Sequence, residues 1–160
     1  MTWTLGRTTD LDTLEDLWLT LYDHHRALGG AGLPVIPREQ SWAVRRPAYV
    51  RMLEKGATFL TAVDDAGEVI GYCVLRFHES PSAIWDLGAV HGEVEDIAVR
   101  PAYRGSGVGA ALLAEAESEC ATRGITVVRL TAMTGNEGAL GFYRSRGWAP
   151  YLETLSHTLG

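Results

Sequence analysis

Apolar residues recur along this chain in two rhythms, one typical of strands and one typical of helices. A short strand-like run at Trp3–Arg7 is followed by apolar residues at helical spacing, namely Leu11, Leu14, Leu17, Trp18 and Leu21. Residues that recur every three or four positions lie on one face of a helix, so this segment predicts an amphipathic helix against a core. A second helix is predicted from Pro37 to about Leu53, and Pro47 marks a point where it could be interrupted.

The rest of the chain alternates between strand and helix patterns. The predicted elements are strands at 58–63, 69–78 and 91–99, a helix at 107–122, a strand at 125–131, a helix ending at Gly147 and a closing strand or strand pair within 148–157. Asp64-Asp-Ala-Gly67 joins the first two of these strands and is typical of a hairpin. Gly124 closes the first helix, while Thr134 and Glu137 predict a capping box for the second.

The resulting order, β-α-α-β-β-β-α-β-α-β, predicts an α/β (α+β) fold with a mixed sheet and helices on both faces. No linker or repeat divides residues 1–160, so we expect a single domain. The net charge of −6 argues against general nucleic-acid binding, which needs a basic face. Neither a leader nor an apolar run of membrane-spanning length is visible, so a cytoplasmic location without membrane contact is expected. Cys73 and Cys120 lie in apolar segments and are expected to be buried free thiols.

The run RGSGVGA over residues 104–110 follows a strand and opens a helix. Glycines allow a ligand to approach the backbone closely, and the first N–H groups of a helix have no intrahelical partner. With the permanent charge of Arg104, these groups predict a diphosphate site, although the glycines alone would also fit a tight turn. A dinucleotide fingerprint would need an acidic residue about 20 positions further on, and a nucleoside triphosphate loop would need a Lys. Both are missing here.

A second motif, NEGALGFYRSRGW over residues 136–148, follows one strand later. Together with RGSGVG it resembles the GNAT superfamily of acetyl-coenzyme A-dependent N-acetyltransferases. The family signatures are Arg/Gln-x-x-Gly-x-Gly/Ala and Asn-x-x-Ala-x-x-Phe/Leu-Tyr-x-x-x-Gly-Phe, and Trp148 stands where the family has Phe. The resemblance is specific over residues 94–148. It implies a mostly antiparallel central sheet whose central strands splay to admit the pantetheine arm of the co-substrate.

The resemblance implies acetyl-coenzyme A as co-substrate and no metal. The implied binding residues are Ile97, Ala98, Val99, Arg104, Gly105, Ser106, Gly107, Val108, Gly109, Ala110, Asn136 and Tyr143. Backbone groups of Ile97 and Val99 would pair with the pantetheine amides as an additional strand would, and the Val99 N–H would donate to the oxyanion. The side chains of Ile97 and Val99 are equally suited to core packing.

Acetyl transfer to an amine needs a neutral amine and a proton for the departing thiolate. An alkylamine with a pKa of about 10.4 is almost fully protonated at neutral pH, so a base is useful. Strict alternation puts Glu93, Glu95, Ile97 and Val99 on one face of their strand and Asp96 on the other. The resemblance implies a bulge in this strand, which would change the phase and bring Asp96 round. Glu95 is favoured as the base before Glu93, and it stays open whether either is essential. Tyr143 is the expected acid, unless it only packs or positions the thioester.

The expected function is transfer of an acetyl group to a primary amine of a small cationic acceptor, by direct attack in a ternary complex. The alternatives are an acyl-coenzyme A-binding sensor without catalysis, a protein N-terminal or lysine acetyltransferase, and a dinucleotide-dependent oxidoreductase. The missing acidic residue of the dinucleotide fingerprint argues against the oxidoreductase. The acceptor itself is not evident from the sequence. His24 and His25 are expected to be solvated or to contact the acceptor, since no second pair of metal ligands accompanies them. Family members are often dimers, which allows a homodimer here.

Overall fold

A computed structural model describes residues 2–30 and 32–160. The strands are Trp3–Arg7 (β1), Thr58–Asp64 (β2), Val69–Glu79 (β3), Val90–Val99 (β4) and Val128–Leu130 (β5). The helices are Glu15–Leu28 (α1), Arg38–Glu54 (α2), Val108–Thr122 (α3) and Glu137–Arg144 (α4). Short 3₁₀ turns at Leu11–Leu14 and Pro101–Tyr103 precede α1 and follow β4. The predicted order of elements is therefore confirmed up to the last helix.

The strands form one sheet in the order β1-β2-β3-β4-β5. Neighbours are antiparallel except for β4 and β5, which are parallel. One face packs against α3 through buried residues such as Val108, Leu112 and Ala116, and α4 packs on the same side. The opposite face packs against α1 and α2 through Leu17 and Tyr49. This mixed, mostly antiparallel sheet with helices on both faces confirms the predicted fold class.

Helix α2 runs through Pro47 without a break, so the interruption considered from the sequence does not occur. A proline inside a helix removes one backbone hydrogen bond, which tertiary packing can offset. Trp42 and Tyr49 are buried on either side of Pro47 and hold both halves of the helix against the sheet.

The predicted capping box of α4 is wrong, because Asn136 and not Thr134 caps this helix. The Asn136 side chain accepts a hydrogen bond from the Ala139 N–H over 3.4 Å. Gly135 has a φ of +85°, which glycine adopts without strain, and the turn that it makes brings Asn136 to the helix start. Asn136, the first residue of the motif at 136–148, is therefore also the N-cap of this helix.

The predicted closing strand within 148–157 is also wrong, since residues 149–160 form neither helix nor strand. Pro150 removes a backbone donor that a strand ladder would need. The large apolar residues that follow, Tyr151, Leu152 and Leu155, are exposed by 51%, 68% and 89%, so no packing against the core holds them in a strand.

Both cysteines are buried and unpaired, as predicted. Cys73 lies in β3 and Cys120 in α3, within the same core cluster. Burial raises the pKa of each thiol above its ordinary value. Thiols that stay protonated at neutral pH are poor nucleophiles. Of the helices that the structure describes, none combines the length and the apolar character that crossing a bilayer requires.

Candidate active site

The site lies where β4 and β5 part. These two strands pair over only three positions, of which the last joins Val94 to Leu130. Strand β4 continues to Val99 while β5 ends, so the edge of β4 beyond Val94 is left without a strand partner on that side. A cavity of about 590 Å³ occupies the gap. Its walls are residues 94–99 of β4, residues 130–132 at the end of β5, the start of α3, one face of α4 and one face of α1.

The hydrogen bonds between β3 and β4 decide which backbone groups face this gap. The Arg100 N–H donates to the carbonyl of Ile70 over 2.8 Å. Bonded and unbonded pairs alternate in an antiparallel ladder, so Ala98 is the next residue of β4 to bond to β3. Ile97 and Val99 lie between these bonded positions and turn their N–H and C=O groups to the open side. The cavity is therefore lined by two sets of backbone groups arranged like the edge of a sheet.

A bulge in β4 sets the direction of the acidic side chains. Val74 of β3 pairs with Asp96, but the next residue, Leu75, pairs with Val94, so Glu95 is an extra residue in the ladder. A bulge of this kind shifts the alternation of side chains by one position. The shift brings Asp96 to the same face as Glu95, which strict alternation would have prevented.

The residues on either side of the bulge confirm the change of face. Arg45 of α2 contacts the carboxylates of both Glu95 and Asp96, so both point towards the α1–α2 layer. Ile97 and Val99, which strict alternation had grouped with Glu95, pack instead against the core cluster on the α3 side. The predicted grouping of Glu95 with Ile97 and Val99 is therefore wrong, and the bulge is the physical reason.

Both carboxylate oxygens of Glu95 are engaged by arginines. Arg45 Nη2 donates to Oε1 over 3.2 Å, and Arg76 Nη1 donates to Oε2 over 2.8 Å. Partial burial acts to raise the pKa of Glu95, but the hydrogen bonds and charges of Arg76 and Arg45 outweigh burial and lower it. Glu95 lines the cavity as a carboxylate that stays ionised and is a weak proton acceptor.

Asp96 belongs to a buried polar network between α2 and the sheet. It accepts a hydrogen bond from the Tyr49 hydroxyl over 2.6 Å and also pairs with Arg45. The hydroxyls of Tyr49 and Tyr72 lie 2.9 Å apart, and the Arg45 guanidinium lies over the rings of Trp18 and Tyr49 at 4.8 and 4.7 Å. Burial raises the pKa of Asp96, although Arg45 and Tyr49 oppose that rise. The network fixes α2 against β4 at the bulge.

We expect Tyr49→Phe to lower the free energy of unfolding by about 1–3 kcal/mol, because it leaves buried polar partners without a donor. Tyr22→Phe is the matched control, since the Tyr22 hydroxyl donates to the carbonyl of Ile36 in an exposed setting. Its cost should stay within about 0.5 kcal/mol. Denaturant unfolding of both variants measures the difference, and equal losses would contradict a special role for the buried network.

Glu93 lies below the point where the strands part and is not among the residues that line the cavity. Its carboxylate contacts His78 Nε2 at 3.2 Å, Arg129 Nε at 3.1 Å and Arg76 Nη1 at 3.9 Å. These contacts tie β3, β4 and β5 together. Glu93, the second candidate for the base, therefore belongs to a cluster of charged and titratable side chains on three strands and lies outside the cavity.

The glycine-rich run forms the other end of the cavity. Gly105 and Gly107 have φ values of +76° and +89°, in the left-handed region that favours glycine, and Gly107 is the N-cap of α3. A Cβ added at either position would meet nothing within 4 Å, so the space in front of both is open. A Cβ at Gly109 would come within 3.6 Å of the Val99 side chain, which keeps this turn close to β4.

Most of the predicted binding residues of this run do line the cavity: Arg104, Gly105, Gly107, Gly109 and Ala110. Ser106 and Val108 do not, because the Ser106 hydroxyl turns back to the carbonyl of Tyr103 and Val108 is buried in the core. The first N–H groups of α3 lie beside the open space, and such groups attract anions. An open cradle of glycines with an adjacent arginine fits a diphosphate.

Asn136 and Tyr143 line the cavity from α4. Asn136 is almost buried, and its Oδ1 lies 3.2 Å from His24 Nε2 of α1. Tyr143 is half-buried beside Phe142 and Trp148, with ring centroids 5.2 and 6.0 Å away. Burial raises the pKa of Tyr143 to about 12, so the phenol stays protonated at neutral pH. The two residues meet at one cavity, as their spacing predicted, and their chemical roles stay predictions.

No signal in the sequence pointed to the arginines that contact the acidic pair. Arg45 lies 50 residues before Glu95, and only the folded packing of α2 on the sheet brings them together. The face of α1 that looks into the cavity had a partial signal, because Thr20, Leu21, His24 and His25 follow helical spacing. Across residues 2–30 and 32–160, no group of at least three His, Cys, Asp or Glu side chains is arranged to hold a metal ion.

A mixed sheet whose central strands part beside a glycine-rich helix start defines a class of α/β protein with a cavity between those strands. Residues 13–148 match the family described as the acetyltransferase (GNAT) family. The chain belongs to this family, whose members use acetyl-coenzyme A.

Comparison with individual proteins adds detail. Mycothiol acetyltransferase of Salinispora tropica is 33% identical over 105 residues, which are 65% of this chain and 33% of that protein. The chain thus spans about a third of the length of this curated relative. A GCN5-related N-acetyltransferase from Ralstonia eutropha JMP134 has a TM-score of 0.77 at 23% identity, covering 99% of this chain and 100% of the other. An aminoglycoside 6'-N-acetyltransferase from Acinetobacter haemolyticus gives 0.71 at 18% identity, covering 98% of each chain. The two structures share the fold.

Proposed function

We propose that this chain transfers an acetyl group from acetyl-coenzyme A to a primary amine of a small, cationic acceptor, by direct attack in a complex that holds both. The observation that carries the proposal is the cavity between β4 and β5. It joins a glycine cradle at one end to Tyr143 and two outward-facing backbone positions in its middle. The side chains of α1 complete the cavity on the α1–α2 side of the sheet, where an acceptor would enter.

The co-substrate would extend along the gap. Its diphosphate would accept hydrogen bonds from N–H groups between Gly105 and Ala110, with Arg104 beside it. Its pantetheine amides would bond to the backbone of Ile97 and Val99 as a further strand would. Asn136 would contact the same arm from α4. These residues fit the group because the edge of β4 is open there and the glycine cradle has space in front of it.

The chemistry would take place in the part of the cavity that Val99 and Tyr143 line. The amine nitrogen attacks the thioester carbon, the new C–N bond forms, and the C–S bond breaks. The Val99 N–H would donate to the carbonyl oxygen as it gains negative charge. The Tyr143 hydroxyl would donate its proton to the departing sulfur, since a phenol with a raised pKa is present as the donor at neutral pH.

The sequence favours Glu95 as the base that takes a proton from the amine. Arg45 and Arg76 contact both of its oxygens and lower its pKa, which supports a permanent carboxylate at the acceptor end better than a proton acceptor. The names of the compared proteins suggest aminoglycosides and compounds of the mycothiol type as acceptors to be tested first.

Release of coenzyme A from acetyl-coenzyme A, measured with a panel of amines, tests the proposal. We expect release that depends on both the protein and one class of amine, with thermal stabilisation by coenzyme A and none by NAD. Stabilisation without release for any amine would instead indicate a binding module that does not catalyse. Stabilisation by NAD alone would indicate the oxidoreductase alternative.

A further inference from the structure

Helix α1 presents a polar face to the cavity. Thr20, Leu21, His24 and His25 line the cavity together, at spacings of one and four residues that put them on one side of a helix. This face lies opposite the bulge of β4, because α1 packs directly against that strand. Two imidazoles are therefore held at the acceptor end, beside the acidic pair.

Most of the proton acceptors that line the cavity are already occupied. Glu95 is bonded through both oxygens to arginines. Asp96 is held by Arg45 and the Tyr49 hydroxyl. His24 Nε2 donates to Asn136 Oδ1 over 3.2 Å, because an amide oxygen only accepts, and this bond holds the His24 ring against α4. Among the side chains that the structure describes, these contacts leave His25 as the imidazole without a hydrogen-bond partner in this cavity.

We infer that His25 is the general base of the acetyl transfer proposed above, on which this inference rests. The imidazole accepts a proton from the acceptor ammonium and leaves the neutral amine to attack the thioester carbon. As the C–N bond forms and the C–S bond breaks, Tyr143 gives its proton to the sulfur, and the second nitrogen proton restores the phenol. The proton on His25 then passes to solvent, so one proton is released for each acetyl group transferred.

The surroundings of His25 keep it in the form that accepts protons. The charged and titratable groups that line the same cavity as His25 are His24 on the helix itself, Glu95 and Asp96 on β4, Tyr103 and Arg104 before α3, Tyr143 in α4 and Arg146 just after it. Arg45 of α2 is bonded to the acidic pair. Burial lowers the pKa of His25, Asp96 acts to raise it, and His24 acts to lower it. A histidine with a lowered pKa is neutral at pH 7, and its base form is lost only as the pH falls through that lowered pKa.

The test is the pH dependence of single-turnover acetyl transfer, from about pH 5 to 10, for wild type, His25→Gln, His24→Gln and Glu95→Gln. In the wild type the rate should level off once His25 is neutral, because the imidazole takes the ammonium proton. In His25→Gln the rate should fall about 10²–10⁴-fold at neutral pH and rise about tenfold per pH unit towards the pKa of the amine. His24→Gln, the neighbouring histidine on the same helix face, should keep the shape of the wild-type profile.

The outcomes separate this inference from the function beneath it. If the wild type releases coenzyme A with none of the amines in the panel, the proposed acetyl transfer is overturned and this inference with it. An active wild type with an unchanged profile in His25→Gln overturns the inference alone, and loss of the plateau only in Glu95→Gln assigns the base to Glu95. If His25→Gln does not fold, His25→Ala with added imidazole replaces it. Return of the plateau with imidazole supports the inference, and no response to imidazole in a folded variant overturns it.

Discussion

Replacing Gly107 with valine should abolish the binding of acetyl-coenzyme A. Gly107 caps α3 at a φ of +89°, where a β-branched residue is strained, and the space in front of its missing Cβ is open. The valine side chain would occupy the place of the diphosphate and shift the N–H groups that face it. Loss of about two charge-assisted hydrogen bonds, each about 1.5–3 kcal/mol, corresponds to about 10²–10⁴-fold in affinity. Isothermal titration with acetyl-coenzyme A measures the change.

Gly124→Val is the matched control for backbone strain. Gly124 follows the other end of α3, has a φ of +73° and likewise has nothing within 4 Å of an added Cβ. Both variants should lose about 1–3 kcal/mol of stability from the strained backbone, and only Gly107→Val should lose affinity. Gly107→Asn, which tolerates the left-handed region, tests the steric part with less strain. A folded Gly107→Val with wild-type affinity would place the diphosphate elsewhere.

Local periodicity was enough to predict most of the fold. Strand β1, the hairpin of β2 and β3, and helix α3 lie where the sequence patterns put them, because each pattern depends on neighbouring residues that share a face. The glycine cradle was predictable for the same reason, since residues 104–107 form a turn that leads directly into α3. In such a segment, residues that are neighbours in the sequence are also neighbours in space.

The bulge at Glu95 was not predictable in the same way. It depends on the register between β3 and β4, which the packing of both sheet faces fixes. A shift of one residue changed the side on which Asp96 lies and separated Glu95 from Ile97. The resemblance suggested a bulge in this strand, but the sequence pattern could not place it.

The electrostatic state of the acidic pair depends on residues far away in sequence. Arg45 reaches Glu95 across 50 residues and Asp96 across 51. A carboxylate that looks like a free base in the sequence is therefore an ion-paired group in the fold. The imidazoles of α1, which the sequence indicated only as solvated or acceptor-contacting residues, line the same cavity as these ion-paired carboxylates.

Replacing Tyr143 with phenylalanine should slow acetyl transfer by about 10²–10⁴-fold, the usual range for one general acid. The ring packs beside Phe142 and Trp148 in either residue, so the affinity for acetyl-coenzyme A should change little. The loss should therefore appear in the chemical step and not in the Michaelis constant for the co-substrate. Single-turnover rates measure that step directly.

A series of thioesters with leaving thiols of different acidity distinguishes acid catalysis from positioning. A thiolate of low pKa leaves without help, so the deficit of Tyr143→Phe should shrink as the thiol becomes more acidic. If Tyr143 only positions the thioester, wild type and Tyr143→Phe should respond equally to thiol acidity. Burial raises the pKa of Tyr143 to about 12, above the pKa of about 8.5 of an ordinary thiol, so full transfer to sulfur is unfavourable at equilibrium. The proton can therefore stay on the sulfur only because the amine nitrogen gives up its second proton in the same step and restores the phenol. The dependence on thiol acidity should still be steeper in the variant than in the wild type.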